Sequence, residues 1–91
     1  MADDINQRKR VERQILLYLQ DHPAAADSAE GVRHWWLRGT GELSQTIVAD
    51  ALGELLKRGW VITRGAIFAL DEREAGSVAR FLEQTGERED G

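Results

Sequence analysis

The 91-residue chain has no cysteine, only one proline and no long apolar run. The lack of cysteine excludes disulfides, thiol catalysis and thiolate metal sites. No apolar segment approaches the roughly 20 residues that a membrane-spanning helix requires. The start of the chain, Met1-Ala2-Asp3-Asp4, is acidic and polar and therefore unlike a secretory leader. We expect a cytoplasmic protein that contacts no membrane.

The chain also lacks the excess of basic residues that is typical of strong nucleic-acid binders. Its formal net charge is −4. Residues 1–60 carry eight Lys or Arg against nine Asp or Glu, whereas residues 61–91 carry four against seven. A composition of 42% hydrophobic and 31% charged residues is that of a globular protein. We predict a single domain over residues 5–85, with disordered tails at 1–4 and 86–91.

The segment 44–70, SQTIVADALGELLKRGWVITRGAIFAL, begins with the pattern of an amphipathic helix. Its apolar side chains recur at helical spacing and predict one buried stripe. The stripe consists of Ile47, Val48, Ala51, Leu52, Leu55 and Leu56. Ser44 is suited to cap the amino end of this helix, and Gly59 is suited to end it in a left-handed conformation.

After Gly59 the pattern changes from helical to extended. Trp60–Thr63 and Ala66–Leu70 are rich in β-branched and aromatic residues and predict two strands. They flank Arg64-Gly65, where a glycine tolerates the positive backbone angles of a tight hairpin turn. We therefore predict a hairpin with Arg64 and Gly65 at its turn, and expect Trp60 and Phe68 to cover the core from the hairpin side.

A first helix is predicted over Ile5–Gln20. Its expected buried stripe is Val11, Ile15, Leu16 and Leu19. Pro23 restricts the residue before it to extended conformations, so Pro23–Ala26 is expected to be a short extended connector.

A second helix is predicted to begin at Asp27 or Ser28, because Asp27 and Glu30 have capping-box spacing. Its inward side is expected to hold Ala29, Val32 and Trp36, with Trp35 off that side. An irregular loop, Arg38–Glu42, should lead to the third helix.

A fourth helix is predicted over residues 71–85. Asp71 and Glu74 repeat the capping-box spacing, and four apolar residues recur at helical steps. They are Ala75, Val78, Ala79 and Leu82.

This order of elements resembles the winged helix-turn-helix family over residues 5–70. The segments SAEGVRHWWL (28–37) and ADALGELLKRGWVITRG (49–65) are similar to small bacterial members. The resemblance implies a mainly α fold with a small β-hairpin, in the order α-α-α-β-β, followed here by a C-terminal α-helix. Winged-helix proteins often also have a minimal strand at the position of the connector Pro23–Ala26. It also implies a transcriptional regulator whose third helix enters the major groove of double-stranded DNA and whose hairpin touches phosphates or the minor groove.

If the resemblance extends to function, the exposed side of the third helix and the hairpin carry the contacts. Gln45 and Thr46 are then candidates for reading base edges. Lys57, Arg58 and Arg64 are candidates for phosphate contacts. Against DNA binding, Asp50 and Glu54 lie on the same exposed side, where each carboxylate would repel a phosphate.

The alternative hypothesis is a winged-helix module that contacts other proteins and does not bind DNA directly. It is motivated by the acidic middle of the third helix and the low overall charge, and it takes Trp35 as the partner surface. The fourth helix is suited either to form a homodimer or to fold back on its own domain. The basic cluster Arg8-Lys9-Arg10 with Arg13 has two interpretations. One is an extension of the phosphate-contacting edge; the favoured one is solvated charge that pairs with Glu12 or the acidic carboxyl-terminal helix.

No pattern of catalytic residues is present, so we expect no enzyme activity. His22 and His34 have no nucleophile or carboxylate at motif spacing, and the acidic and histidine residues show no metal-ligand spacing. Gly39-Thr40-Gly41 lacks the Lys-Ser/Thr of a phosphate-binding loop. We therefore predict no catalytic residues, no metal and no cofactor.

Overall fold

A computed structural model describes residues 2–37 and 44–90 of the chain, and the side chains within 6–37 and 44–84. It consists of four helical elements and three short strands in these ranges. The first helix, α1, spans Ala2–Asp21 and begins earlier than predicted. All four residues of its predicted stripe are buried. One polar residue, Glu12, is buried beside them.

The connector after α1 leads into a strand that the sequence pattern did not separate from the second helix. This strand, β1, spans Ala26–Ser28. Of the two predicted starts of the second helix, Asp27 is wrong, because it pairs with Phe68 in the sheet, and Ser28 is confirmed. Ser28 is the capping residue, and its Oγ accepts a hydrogen bond from the Gly31 N–H at 3.2 Å.

The second helical element, α2, changes its hydrogen-bonding pattern along its length. It starts as an α-helix at Ala29–Gly31 and continues as a π-helical stretch at Val32–Trp36. Val32 and Trp36 are buried as predicted, and Leu37 after them is buried as well. The predicted loop Arg38–Glu42 lies outside the described residues.

The third helix, α3, spans Gln45–Arg58 and has the predicted residues at its ends. The Ser44 Oγ accepts from the Ile47 N–H at 3.1 Å. Gly59 has φ of 80° and donates to the Leu56 carbonyl, while the Trp60 N–H donates to the Leu55 carbonyl at 3.2 Å. This pair of bonds is a Schellman motif, which needs a left-handed residue at the position of Gly59.

The hairpin follows directly as β2 (Val61–Arg64) and β3 (Ile67–Leu70). Its turn is one residue later than predicted, because Arg64 pairs with Ile67 and the turn residues are Gly65 and Ala66. Gly65 has φ of 60°, and no residue other than glycine has a positive φ in the described ranges. Glycine at the first of two turn residues is typical of a type II′ hairpin.

The three strands form one antiparallel sheet in the order β1-β3-β2. β1 adds to the free edge of β3, so the sheet has three strands. The resemblance to winged helices placed a minimal strand at the connector Pro23–Ala26, and β1 begins at the last residue of that connector.

A 3-10 turn at Glu72–Glu74 precedes the last helix, α4, which spans Ala75–Asp90. Asp71 caps the turn, since its Oδ1 accepts from the Arg73 N–H at 3.1 Å. The α-helix therefore starts later and ends later than the predicted 71–85. It packs against α1 and buries Val78 and Leu82.

The protein is thus mainly helical, with a small antiparallel sheet and one hydrophobic core. The core draws on every helix and on the ends of β2 and β3. In the ranges that the structure describes, no helix is both long enough and apolar enough to span a bilayer.

Candidate nucleic-acid interface

The outward side of α3 is the surface on which the sequence placed DNA contacts. Val48, Ala51, Leu52 and Leu55 lie on the inward side and are fully or almost fully buried. On the opposite side, a row of residues at steps of four, three and four runs along the helix. The row is Thr46, Asp50, Gly53 and Lys57, flanked by Gln45 and Ala49. All six except the half-buried Gly53 are exposed.

Gln45 and Thr46 lie in the first turn of α3, immediately after its capping serine. Both side chains are exposed. The first turn has no acidic residue. The partial positive charge that an α-helix carries at its amino end is therefore not offset by a carboxylate within this turn.

Lys57 lies at the other end of the outward row and already has a partner on its own helix. Its Nζ is 3.7 Å from the Glu54 Oε1, in an ion pair one turn apart. The lysine side chain is almost fully exposed, so this pair stabilises the fold by about 0–1 kcal/mol at most. A phosphate group can therefore compete with Glu54 for the ammonium group.

Arg58 lies on a different side of α3 from Lys57. Its guanidinium carbon is 5.1 Å from the centre of the Trp60 ring and 5.4 Å from that of Phe81, which are cation–π distances. The two rings are themselves 5.1 Å apart. Arg58 thus covers an aromatic pair formed by Trp60, which precedes β2, and Phe81 of α4. The sequence pattern missed this contact because Phe81 comes from α4.

Arg64 is the last residue of β2 and lies beside the hairpin turn. It is exposed, and among the side chains described it forms no ion pair. The turn next to it is held by a hydrogen bond from the Thr63 Oγ1 to the Gly65 carbonyl at 3.1 Å. Arg64 is therefore an exposed cation on a short, closed hairpin.

A buried carboxylate on α1 faces the flank of α3 that carries Arg58. Glu12 is 4% exposed, and its Oε2 accepts from the Arg8 Nε at 3.0 Å. Burial raises the pKa of Glu12, and the charges and hydrogen bond of Arg8 oppose that rise. Arg58 lowers the pKa further and Glu54 raises it. Arg8 thus pairs with Glu12, which was one of the pairings expected for the basic cluster.

The two adjacent tryptophans of α2 have different surroundings, as predicted. Trp36 is buried and lies edge-on to Tyr18, with ring centres 5.1 Å apart. Trp35 is 63% exposed. The candidate partner residue is therefore accessible, and it lies on α2 rather than on α3 or the hairpin.

The outward side of the sheet is also apolar and uncovered. Ile62 and Ile67 are 47% and 42% exposed. The pairing of Ile62 with Ala69 and of Arg64 with Ile67 puts all four on one side of the hairpin. Trp60 and Phe68 are instead partly buried against the core, as expected.

The two histidines lie in different surroundings. His22 packs edge-on against Tyr18, with ring centres 4.5 Å apart, and His34 is exposed on α2. No group of three potential metal-ligating side chains occurs within the described part of the chain.

Comparison with known proteins identifies no relative of this chain. No family model matches it, and neither a curated protein nor a solved structure matches it either.

Proposed function

We propose that the protein is a small winged-helix DNA-binding protein that regulates transcription. The observation that carries this proposal is the outward side of α3, which is exposed from Gln45 to Lys57 while the inward side is buried. The order of elements supports it, since a helix, a strand, two helices and a hairpin occur in the sequence expected for a winged helix. The hairpin follows directly after that helix in the chain, and the residues at its turn are exposed.

In this proposal α3 lies in the major groove and the β2–β3 hairpin lies along the backbone. Gln45 and Thr46 read base edges, since an amide pairs with adenine in two places and a hydroxyl accepts or donates. Lys57 and Arg64 bind phosphates and set the position of the helix. Arg58 has a weaker claim than these two, because its guanidinium already covers Trp60 and Phe81.

The charges on this surface favour modest affinity. Glu54 neutralises part of the charge of Lys57, and Asp50 stands in the same row. A carboxylate about 7 Å from a phosphate is repelled by roughly 0.6 kcal/mol in water and by about 2.4 kcal/mol at an effective dielectric constant of 20. Asp50 can instead accept a hydrogen bond from a cytosine amino group, which would turn it into a source of sequence preference.

The test is fluorescence anisotropy of a labelled random-sequence duplex at about 50 and 200 mM salt, since each phosphate contact adds about −0.9 to the slope of log affinity against log salt. We expect measurable binding at the lower salt. Lys57→Ala and Arg64→Ala should each weaken binding and reduce the slope by about one contact.

The chain offers a matched control for each of these variants. Lys9→Ala on α1 and Arg80→Ala on α4 remove the same charges from exposed positions on other helices, and they should leave the slope unchanged. No binding at the lower salt would refute DNA binding. Equal effects of all four variants would refute the proposed placement of the phosphate contacts.

A second candidate function is a winged-helix module for protein–protein contact that does not touch DNA. The specific observation in its favour is the exposed apolar area of Trp35, Ile62 and Ile67. Ile62 and Ile67 lie on the same side of the hairpin, and neighbouring exposed apolar groups on a small domain are typical of interaction sites. Sedimentation velocity over a range of concentrations tests for a homodimer, and a monomer at every concentration would exclude self-association as the purpose of these residues.

A further inference from the structure

An open cleft lies between the last turns of α1 and the π-helical stretch of α2. It has a volume of about 360 Å³. Four of its seven lining residues are the aromatic rings described above: Tyr18, His22, Trp35 and Trp36. The others are Gln14, Leu17 and Asp21. This cleft is separate from α3 and the hairpin, because no residue of those elements lines it.

Three of the four rings in the cleft contact one another, and the fourth, Trp35, does not contact them. Tyr18 contacts both His22 and Trp36 edge-on, with ring centres 4.5 and 5.1 Å apart. Tyr18, His22 and Trp36 therefore form one packed group of rings. Trp35 makes no ring contact within the described residues and remains 63% exposed. The exposed indole of Trp35, beside the packed rings, offers a flat surface on which a planar group can stack.

The lining residues of the cleft include one carboxylate, that of Asp21. Asp21 is exposed at the last residue of α1, and it forms no ion pair with any side chain that the structure describes. The carboxyl end of a helix carries a partial negative charge, which a basic residue in the last turn commonly offsets. The last turn of α1 has no basic residue. An acidic residue here adds to the helix dipole and makes the site attractive to a cation.

A planar cation matches both features. The guanidinium group of arginine stacks on aromatic faces and forms paired hydrogen bonds with carboxylates. The Gln14 side-chain oxygen is one further acceptor on the cleft wall. The cleft is open to solvent, so it suits a side chain presented by a larger molecule better than a small molecule that must be enclosed.

We propose that the cleft binds an arginine side chain of a partner protein, with the guanidinium stacked on Trp35 and paired with the Asp21 carboxylate. The proposal concerns a partner surface distinct from α3, and it stands whether or not the outward side of α3 binds DNA.

The test uses the ¹⁵N-labelled full chain and a short glycine–serine peptide that contains one arginine. Backbone amide shifts of residues 18–22 and 34–36 are followed during titration. A twin peptide with citrulline in place of arginine keeps the shape of the side chain and removes its charge. We expect the arginine peptide to bind at least about tenfold more tightly than its citrulline twin, because both the cation–π contact and the ion pair need the charge.

Three variants locate the binding. Trp35→Ala and Asp21→Asn should each weaken the arginine peptide by about three- to fivefold, whereas Trp35→Phe should keep most of the affinity because it keeps a π face. Asp50→Asn removes the same charge from α3 and is the matched control for Asp21→Asn. Its affinity for the peptide should equal that of the unmodified protein.

Several results would overturn the proposal. One is equal binding of the arginine and citrulline peptides, and another is unchanged affinity in both Trp35→Ala and Asp21→Asn. A third is a shift of the same amides with protein concentration in the absence of peptide, which would identify a second copy of the chain as the occupant of the cleft.

Discussion

The two sides of α3 differ in how firmly their surroundings fix each side chain. On the inward side, Leu52 and Leu55 are almost completely buried against α1 and the sheet. On the outward side, Thr46, Asp50 and Lys57 face solvent, and Lys57 forms an ion pair with Glu54, a neighbour on the same helix. The inward side is therefore specified by the fold, whereas the outward side is available for function.

The boundary between the two sides does not follow residue type. Lys57 and Arg58 are adjacent cations, yet Lys57 lies in the outward row while Arg58 covers Trp60 and Phe81. Two glutamates differ in the same way: Glu12 is buried against this helix, and Glu54 is partly exposed. Charge alone therefore does not mark a functional residue in this protein, and position relative to the core must be known first.

The largest expected effect on this comparison comes from shortening an inward leucine. Leu55→Ala should destabilise the protein by about 3 kcal/mol, because the side chain is fully buried and its removal leaves a cavity. Leu56→Ala removes the same atoms from the next residue, which is only partly buried, and should cost about 1 kcal/mol. Urea unfolding of both variants measures the difference. Equal costs would contradict the division of α3 into a buried and an exposed side.

Replacing two glycines by alanine, one within α3 and one at its carboxyl end, should have smaller effects on stability, and these effects should be of opposite sign. Gly59→Ala should destabilise by about 1–2 kcal/mol, because the residue has φ of 80°. Gly53→Ala should stabilise by up to about 1 kcal/mol, because alanine is the better helix former. A Cβ meets no atom within 4 Å at either position. The backbone conformation alone thus decides whether each substitution raises or lowers the free energy of unfolding. Thermal unfolding of the two variants measures this change. Destabilisation by Gly53→Ala would contradict this assignment.

The elements with local signals were predictable from the sequence. Ser44, Gly59 and Gly65 each act on bonds within a few residues of themselves, so the ends of α3 and the presence of the hairpin are confirmed. The strand β1 was not predictable in this way. Its three residues are held by pairing with β3, about 40 residues further along the chain, and Asp27 has a capping-box partner that favours the wrong interpretation.

The features of the candidate site also fall into those with a local sequence signal and those without one. The exposure of Gln45, Thr46, Lys57 and Trp35 follows from helical periodicity and was predicted. The aromatic packing of Arg58 and the burial of Glu12 depend on how α4 and α1 pack against α3. Those contacts join residues that are far apart in the chain, and no local spacing encodes them.

The smallest effect on stability, and the one that best separates the two sides, comes from neutralising one carboxylate on each. Burial raises the pKa of Glu12, so the folded protein holds that proton more tightly than the unfolded chain does. Stability should therefore fall as pH rises from the ordinary carboxyl range through the raised pKa. Glu12→Gln removes this titration, and its stability relative to the unmodified protein should rise across that window in urea unfolding between about pH 4 and pH 8.

Asp50→Asn is the counterpart on the outward side. Asp50 is exposed, so its neutralisation should change the free energy of unfolding at neutral pH by less than about 0.5 kcal/mol, while raising the affinity for random-sequence DNA by at least about threefold, since the repulsion from phosphate is removed. Glu12→Gln should change the pH dependence of stability and leave the DNA affinity unchanged, because Glu12 is buried. If both variants altered stability and DNA affinity alike, the two sides of α3 would not act independently, and the outward row would contribute to the stability of the fold.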